Sequence, residues 1–288
     1  MITMPQTLTT GALLTAEELA ERLAETATQA LIDEARLSPK PGLVDSRSAG
    51  AHQDLSLDLM VRSARSLTST FYLLALHSWQ RPADIALRQE VGRLGRAGEA
   101  QMMAETGGVN THRGAIWAMG LLVSAVSMQP ESLLPLHIAQ RAAKIAALPD
   151  AFSPKKFSKG SHAVQRYQVP GAREEAQSGF PHIIGCALPQ LHHSRAHGAS
   201  ESEAQVDALL AVMSTLADTC VLSRGGLPAL EAMHQGAQAV LEAGGTSTMA
   251  GKQRLRHLEH RMLADNTSPG GAADLLAATL FLDRVSVV

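Results

Sequence analysis

Apolar positions recur along this chain with a helical period over most of its length. Thr15-Ala-Glu-Glu18 has capping-box spacing, and Leu19, Leu23, Ala27, Ala30 and Leu31 then fall on one face. This pattern predicts a helix that stops before Pro39, because the residue preceding proline is pushed out of α geometry. A second helix is predicted from about Ser56, with Leu57, Met60, Val61, Ala64, Leu67, Phe71, Leu74 and Ala75 as its stripe. A third begins near Pro82 and runs towards Glu105, with Gly92, Gly95 and Gly98 at every third position. Glycine weakens a helix by up to ~1 kcal/mol, so close approach of a neighbouring backbone or a ligand is expected there. A fourth starts near Thr111 and is almost wholly apolar after Arg113, through Ile116, Leu121, Leu122 and Val126, which predicts a central buried helix.

The second half continues the rhythm. Helices are predicted from about Glu131 to Leu148 and after the capping box Ser200-Glu-Ser-Glu203, where Val206, Leu209, Leu210, Met213, Leu216 and Ala217 form the stripe. Gly225-Gly226 and Gly244-Gly245 read as stops on either side of a shorter helix, and Ser268-Pro-Gly-Gly271 opens a last one with an apolar run from Leu275 to Leu282. Two segments break the pattern. Residues 38–54 carry Pro39, Lys40, Pro41, Gly42 and Gly50, and residues 153–200 scatter Lys155, Lys156, Lys159, Arg166 and Arg173 among Gly and Pro. The second segment reads as a long loop or phosphate lid. No repeat or linker divides the chain, so one helical domain over residues 1–288 is expected, with residues 1–14 flexible.

Composition sharpens the class. Aromatics are only 3% and Ala and Leu dominate the apolar set, which favours helix over strand and gives an all-α expectation: a multi-helix bundle with functional loops at helix N-termini. With 25 Lys plus Arg against 27 Asp plus Glu, no global field draws nucleic acid or an anionic membrane, so a polyanion would need a local cluster. Cys186 and Cys220 are too few for a disulfide framework, and Cys220 falls on the apolar side of its helix, so it reads as core. No signal-peptide pattern or membrane-length apolar run is present, and a cytoplasmic protein is expected.

Four loop-to-helix junctions carry chemistry that a plain bundle does not need. Leu37-Ser-Pro-Lys-Pro-Gly-Leu-Val-Asp45, followed by Gly50-Ala-His-Gln-Asp54, presents Lys40 from a loop stiffened by two prolines, or is a simple interhelical turn. Gly107-Gly-Val-Asn-Thr-His-Arg-Gly114 places Asn110, His112 and Arg113 at a helix start, where desolvation is costly unless something polar meets them. Asp218-Thr-Cys-Val-Leu-Ser-Arg-Gly-Gly226 sets a carboxylate about two turns from Arg224. Ser268, Gly270 and Gly271 form a helix start able to take an anion, with Asp274 one turn in, or no more than a start. His192, His193 and His197 fit no strong metal template and read as surface or packing residues.

These motifs, in order and together with Gly-Ala-Arg-x-Glu-Ala at residues 171–176 and Ser-Pro-Gly-Gly-x-Ala-Asp-Leu-Leu at residues 268–276, resemble the triphosphoribosyl-dephospho-CoA synthase family from about Glu34 to Leu282. The resemblance implies an all-α enzyme that joins the triphosphoribosyl part of ATP to 3'-dephospho-CoA, releases adenine, and so makes a prosthetic-group precursor for an acyl carrier protein. Cys220, Glu174 and Asp265-Asn266-Thr267 depart from the citrate lyase pattern and tilt the expectation to malonate decarboxylase, whose acyl carrier protein and prosthetic-group transferase would then be indirect partners. Substitution at an anomeric carbon calls for phosphate-gripping groups, a carboxylate near the sugar and hydrogen bonds to adenine. Lys40, Arg113, Arg224 and the Ser268 to Gly271 start answer the first need, and Asp45, Asp54 and Asp218 the second. His52, Asn110 and His112 answer the third or position the substrates, with His112 also a catalytic candidate, and Glu99 and Asp274 are expected to share a Mg2+ ion with one aspartate. A helical N-glycosyl hydrolase and a non-catalytic assembly subunit are the competing readings.

Overall fold

The computed structural model describes residues 14–153 and 159–286; Lys155, Lys156 and the expected flexible segment up to residue 13 lie outside that range. Among the described residues every regular element is a helix. The chain runs through α1 (Ala16–Arg36), α2 (Leu57–Ser66), α3 (Thr68–Ser78), α4 (Ile85–Glu105), α5 (Arg113–Met128), α6 (Pro135–Ala147), α7 (Lys159–Tyr167) and α8 (Ala172–Gln177). A π-helical turn (Ile183–Ala187) leads into α9 (Leu188–Ala196), followed by α10 (Glu201–Met213), α11 (Thr219–Glu242), α12 (Met249–Ala264) and α13 (Gly270–Ser286). The first helix opens with the expected capping box on Thr15 and Glu18.

As its apolar sequence requires, α5 sits at the centre: Ala118 to Met128 are buried without a break. It packs against α1, α3, α4, α6, α8 and α13. The other apolar helix, α13, packs against α1, α5, α10 and α11, and its run from Leu275 to Leu282 is buried. One hydrophobic cluster takes in residues from Ala20 to Val285.

The structure corrects several expected boundaries. The stripe from Ser56 to Ala75 is split at Leu67, where the Ser66 and Thr68 hydroxyls donate to the carbonyls of Ser63 (2.8 Å) and Arg65 (2.9 Å) and so compete with the helical ladder. The third helix begins at Ile85 under an Asp84 cap, not near Pro82, and the fifth at Pro135, not Glu131. The glycines of α4 do not meet a neighbouring backbone: a methyl on Gly92 would run into the Asp150 carboxylate, one on Gly98 would come within 2.6 Å of Thr70, and Gly95 faces open space.

The described part of residues 153–200 is not an irregular loop. From Lys159 on it forms α7, α8, the π turn and α9. Each is too short for its apolar period to show.

Two glycines shape the chain around the future site. Gly226 has φ +67° and kinks α11, which restarts through Pro228. Gly42 has φ +71°, and a methyl there would collide with the Thr267 carbonyl, so the 38–54 loop lies directly on the chain that enters α13.

Candidate active site

Asp218 joins two helix starts. As N-cap of α11 its Oδ1 accepts from the N–H groups of Cys220 (2.8 Å) and Val221 (3.4 Å), while Oδ2 accepts from Ala272 N–H in the first turn of α13 (2.9 Å). The expected anion site at the start of α13 therefore already holds an anion, supplied by the chain itself. Burial raises the Asp218 pKa, and the N–H groups of Ala272, Cys220, Val221 and Gly271 oppose the rise. Gly271 gives Asp218 room: an added methyl would stand 3.1 Å from Oδ2. Gly270 lies against Cys220, and Cys220 is exposed rather than core.

Beside this junction is a small cleft of about 60 Å³ lined by Asp218, Thr219, Gly271 and Asp274 together with Trp117, Gly171 and Ala172. Asp274 is partly exposed there and lies over Gly114, where a methyl group would occupy the space of its carboxylate. Burial, with Glu34 and Asp218 as neighbouring like charges, pushes its pKa well above the ordinary carboxylate range, against one N–H from Ala115.

A second layer of charge belongs to the first junction. Lys40 is only 2% exposed, and its Nζ donates to both the carbonyl and Oε1 of Glu34, each at 2.5 Å. The expected cation offered to phosphate from a proline-stiffened loop is instead one half of a buried ion pair. Burial, and after it the same ammonium, pushes His112 down to about 4, so its imidazole is neutral at pH 7. His112 Nδ1 shares a hydrogen bond with Ser63 Oγ at 2.8 Å, and its Nε2 is buried without a partner.

Three predicted binding residues do meet. His52 Nε2 is 2.8 Å from Ser268 Oγ, Arg224 Nη2 is 3.2 Å from His52 Nδ1, and Arg224 Nη1 donates to the Ala51 carbonyl at 2.8 Å. Because the guanidinium is a donor, it favours the tautomer with the proton on Nε2, which then donates to Ser268. Burial and Arg224 lower the His52 pKa.

The remaining candidates are placed elsewhere. Asp45 accepts from Lys40 N (3.1 Å), Ser38 Oγ (3.0 Å), Ser48 N (3.1 Å) and the Arg47 backbone (2.7 Å) and guanidinium, which organises its loop and leaves no lone pair suited to a base. Asp54 is 68% exposed, 3.8 Å from His52 Nδ1. Asn110 Oδ1 accepts from Arg113 N–H at 3.2 Å, and Arg113 Nε pairs with Glu99 at 2.5 Å. Among the described residues no group of three His, Cys, Asp or Glu side chains could hold a metal ion. His192 bonds to Asp283 at 2.9 Å, as a surface or packing reading requires.

Sequence reading missed Glu34 and Trp117. The signal for Glu34 was its position: it follows Ala30 and Leu31 by four and three residues, on the buried stripe of α1. Trp117 is one of two tryptophans in an aromatic-poor chain, four residues after Arg113.

Two expected outcomes follow from the buried charges. Lys40→Ala strands Glu34 and lowers unfolding free energy by about 3–5 kcal/mol, whereas Lys40→Met with Glu34→Leu recovers most of it; chemical denaturation of both variants checks this, and a fully stable Lys40→Ala protein rejects the pairing. For His112 the folded pKa lies below the unfolded value near 6.5, so the unfolded chain binds the extra proton first as pH falls. Stability is therefore lost between about pH 6.5 and 4, at up to about 1.4 kcal/mol per pH unit. His112→Gln, titrated beside the wild type, removes that component of the slope.

Comparison with known proteins agrees with this architecture. The family model described as ATP:dephospho-CoA triphosphoribosyl transferase matches residues 20–287. A 2-(5''-triphosphoribosyl)-3'-dephosphocoenzyme-A synthase of Klebsiella pneumoniae is 67% identical over 273 residues, covering 95% of this chain and 98% of that protein. A protein of Pseudomonas syringae pv. tomato assigned the same activity is 58% identical, covering 92% and 91%. A crystal structure from Archaeoglobus fulgidus, assigned as a triphosphoribosyl-dephospho-CoA synthase, superposes with a TM-score of 0.51 at 18% identity, over 77% of this chain and 98% of that one, and shares the fold. The chain belongs to the ATP:dephospho-CoA triphosphoribosyl transferase family.

Proposed function

We propose that this enzyme transfers the triphosphoribosyl group of ATP to 3'-dephospho-CoA and releases adenine. The observation that carries the reading is the half-buried Asp274 carboxyl beside Asp218 at the foot of the cleft. Its raised pKa lets it keep a proton to higher pH than an ordinary carboxyl group does. Asp274 then protonates adenine as the bond to the anomeric carbon breaks, and its carboxylate takes the proton of the attacking ribose hydroxyl. The proton given to adenine is thus replaced, and the carboxyl ends as it began. His52, Arg224 and Ser268 are the polar groups available for the triphosphate. Lys40 and His112 act from below, as a buried charge and a neutral imidazole that shape the floor.

The residues do not suit a magnesium site built by the protein. Glu99 is neutralised by Arg113, and both Asp218 oxygens accept backbone N–H groups. Magnesium enters this proposal as part of the ATP substrate. Cys220, Glu174 and residues 265–267 support the malonate decarboxylase acyl carrier protein as destination, with its prosthetic-group transferase next in line and citrate lyase as the alternative. No helix among the described residues is long and apolar enough to cross a membrane. An enzyme that consumes ATP and dephospho-CoA belongs where both are made, in the cytoplasm.

With ATP, dephospho-CoA and magnesium, purified protein is expected to release adenine only when dephospho-CoA is present, without pyrophosphate or AMP as main product. Adenine release from ATP alone would favour a hydrolase instead. Asp274→Asn is expected to lower kcat by about 10²–10⁴-fold, and the wild-type rate to fall as pH rises through the raised Asp274 pKa. An Asp274→Asn enzyme with unchanged kcat sinks the assigned role.

A further inference from the structure

Next to Trp117, two guanidinium groups share one carboxylate, and a third lies within electrostatic reach of them. Arg88 Nη1 and Arg96 Nη1 both reach Asp150 Oδ2, at 3.3 and 2.7 Å, while Oδ1 accepts from Phe152 N–H at 3.0 Å. The space Asp150 occupies is the space Gly92 leaves open. Arg88 lies over the Trp117 ring, 5.5 Å from its centroid, and its Nε is buried without a partner. Arg173, exposed in the first turn of α8, is close enough to act on Arg88 electrostatically: burial, Arg96 and Arg173 lower the Arg88 pKa and Asp150 opposes them.

This cluster adjoins the cleft. Trp117 Nε1 donates to the Ala172 carbonyl at 3.0 Å, and Trp117, Gly171 and Ala172 all line the cavity. The acidic residues of α8 are engaged elsewhere: Glu174 accepts from Gly171 N–H at 2.9 Å, and Glu175 pairs with His182 at 2.7 Å. One arginine on Asp150 would be enough to tie the end of α6 to α4. Two cations on one carboxylate, with Arg173 close enough to act on Arg88, leave the group with an excess of positive charge that a bound anion would offset. Guanidinium forks match phosphate oxygens.

We propose that Arg88, Arg96 and Arg173 form a phosphate subsite at the Trp117 end of the cleft, which takes the phosphate chain of a nucleotide substrate. This rests on the functional reading above. Because Arg224, His52 and Ser268 serve the triphosphate of ATP there, the diphosphate of dephospho-CoA is the expected occupant of the arginine cluster.

Isothermal titration of ATP and of dephospho-CoA, each alone, into wild-type, Arg173→Gln, Arg96→Gln and Arg173→Lys proteins tests it. Arg173 is on the surface, so its substitution does not threaten the fold. Each glutamine variant is expected to weaken dephospho-CoA binding by ~10-fold or more and to leave ATP binding alone, with Arg173→Lys in between. A loss confined to ATP keeps the phosphate subsite and reassigns it to the triphosphate. Wild-type affinity for both nucleotides in both glutamine variants overturns the subsite while leaving the reaction standing. A wild-type protein that binds neither nucleotide overturns the functional reading and the subsite with it.

Discussion

The site depends on one buried carboxylate shared between two helices. Asp218 caps α11 with one oxygen and the first turn of α13 with the other, so the relative placement of two helix starts is fixed by a single side chain. A carboxylate at a helix N-terminus is favoured by the unpaired N–H groups and by the local dipole, and here both effects come from two helices at once. Everything on that wall of the cleft follows. Asp274 is held one turn into α13, Gly271 is small because Asp218 passes over it, and Arg224 emerges from α11 just before the kink at Gly226.

Below the cleft the chain accepts a second buried charge for a different reason. Glu34 and Lys40 satisfy one another at the end of α1, and burial, helped by the Lys40 ammonium, keeps His112 neutral. Buried pairs of this kind add little net stability over apolar packing, and breaking one is expensive. Their value here is positional. The loop through Lys40 is pinned to α1 from inside, and Gly42 then brings it against Thr267, at the entrance to α13.

How much of this was legible in the sequence depends on length and direction. Helices α1, α4, α5 and α10 announced themselves because they carry several turns of apolar period, whereas the largely polar α12, which buries Leu255, Leu258 and Met262, went unread. The helices between Lys159 and Ala196 did not, because six to nine residues give too little period to separate a helix from a polar loop. The motifs marked the right junctions, and His52, Ser268 and Arg224 do meet. Sequence could not show which way a side chain turns. Lys40 faces inward, the N–H groups of Gly271 and Ala272 at the start of α13 are already turned to Asp218, and Asp45 is consumed by its own loop. The clue to Lys40 lay in another element, in the glutamate on the apolar stripe of α1.

The charges around the cleft are not evenly spread, and that unevenness fits the proposed chemistry. At its foot Glu34, Asp218 and Asp274 influence one another with Lys40 as the nearby cation, which makes the region rich in carboxyl groups in a setting of low dielectric. At the other end Arg88, Arg96 and Arg173 outnumber Asp150. Transfer of a ribosyl group between two nucleotides asks for this division. The sugar carbon gains positive character as adenine departs and is stabilised by nearby negative potential, as in glycoside hydrolysis. The phosphate chains carry negative charge throughout and must be held away from those carboxyl groups. A uniformly basic cleft would bind both nucleotides and oppose the oxocarbenium-like state, whereas a uniformly acidic one would repel the substrates. Separating the two potentials along one cleft meets both demands, with Asp218 fixing one wall and Trp117 standing between the carboxyl groups and the arginine cluster.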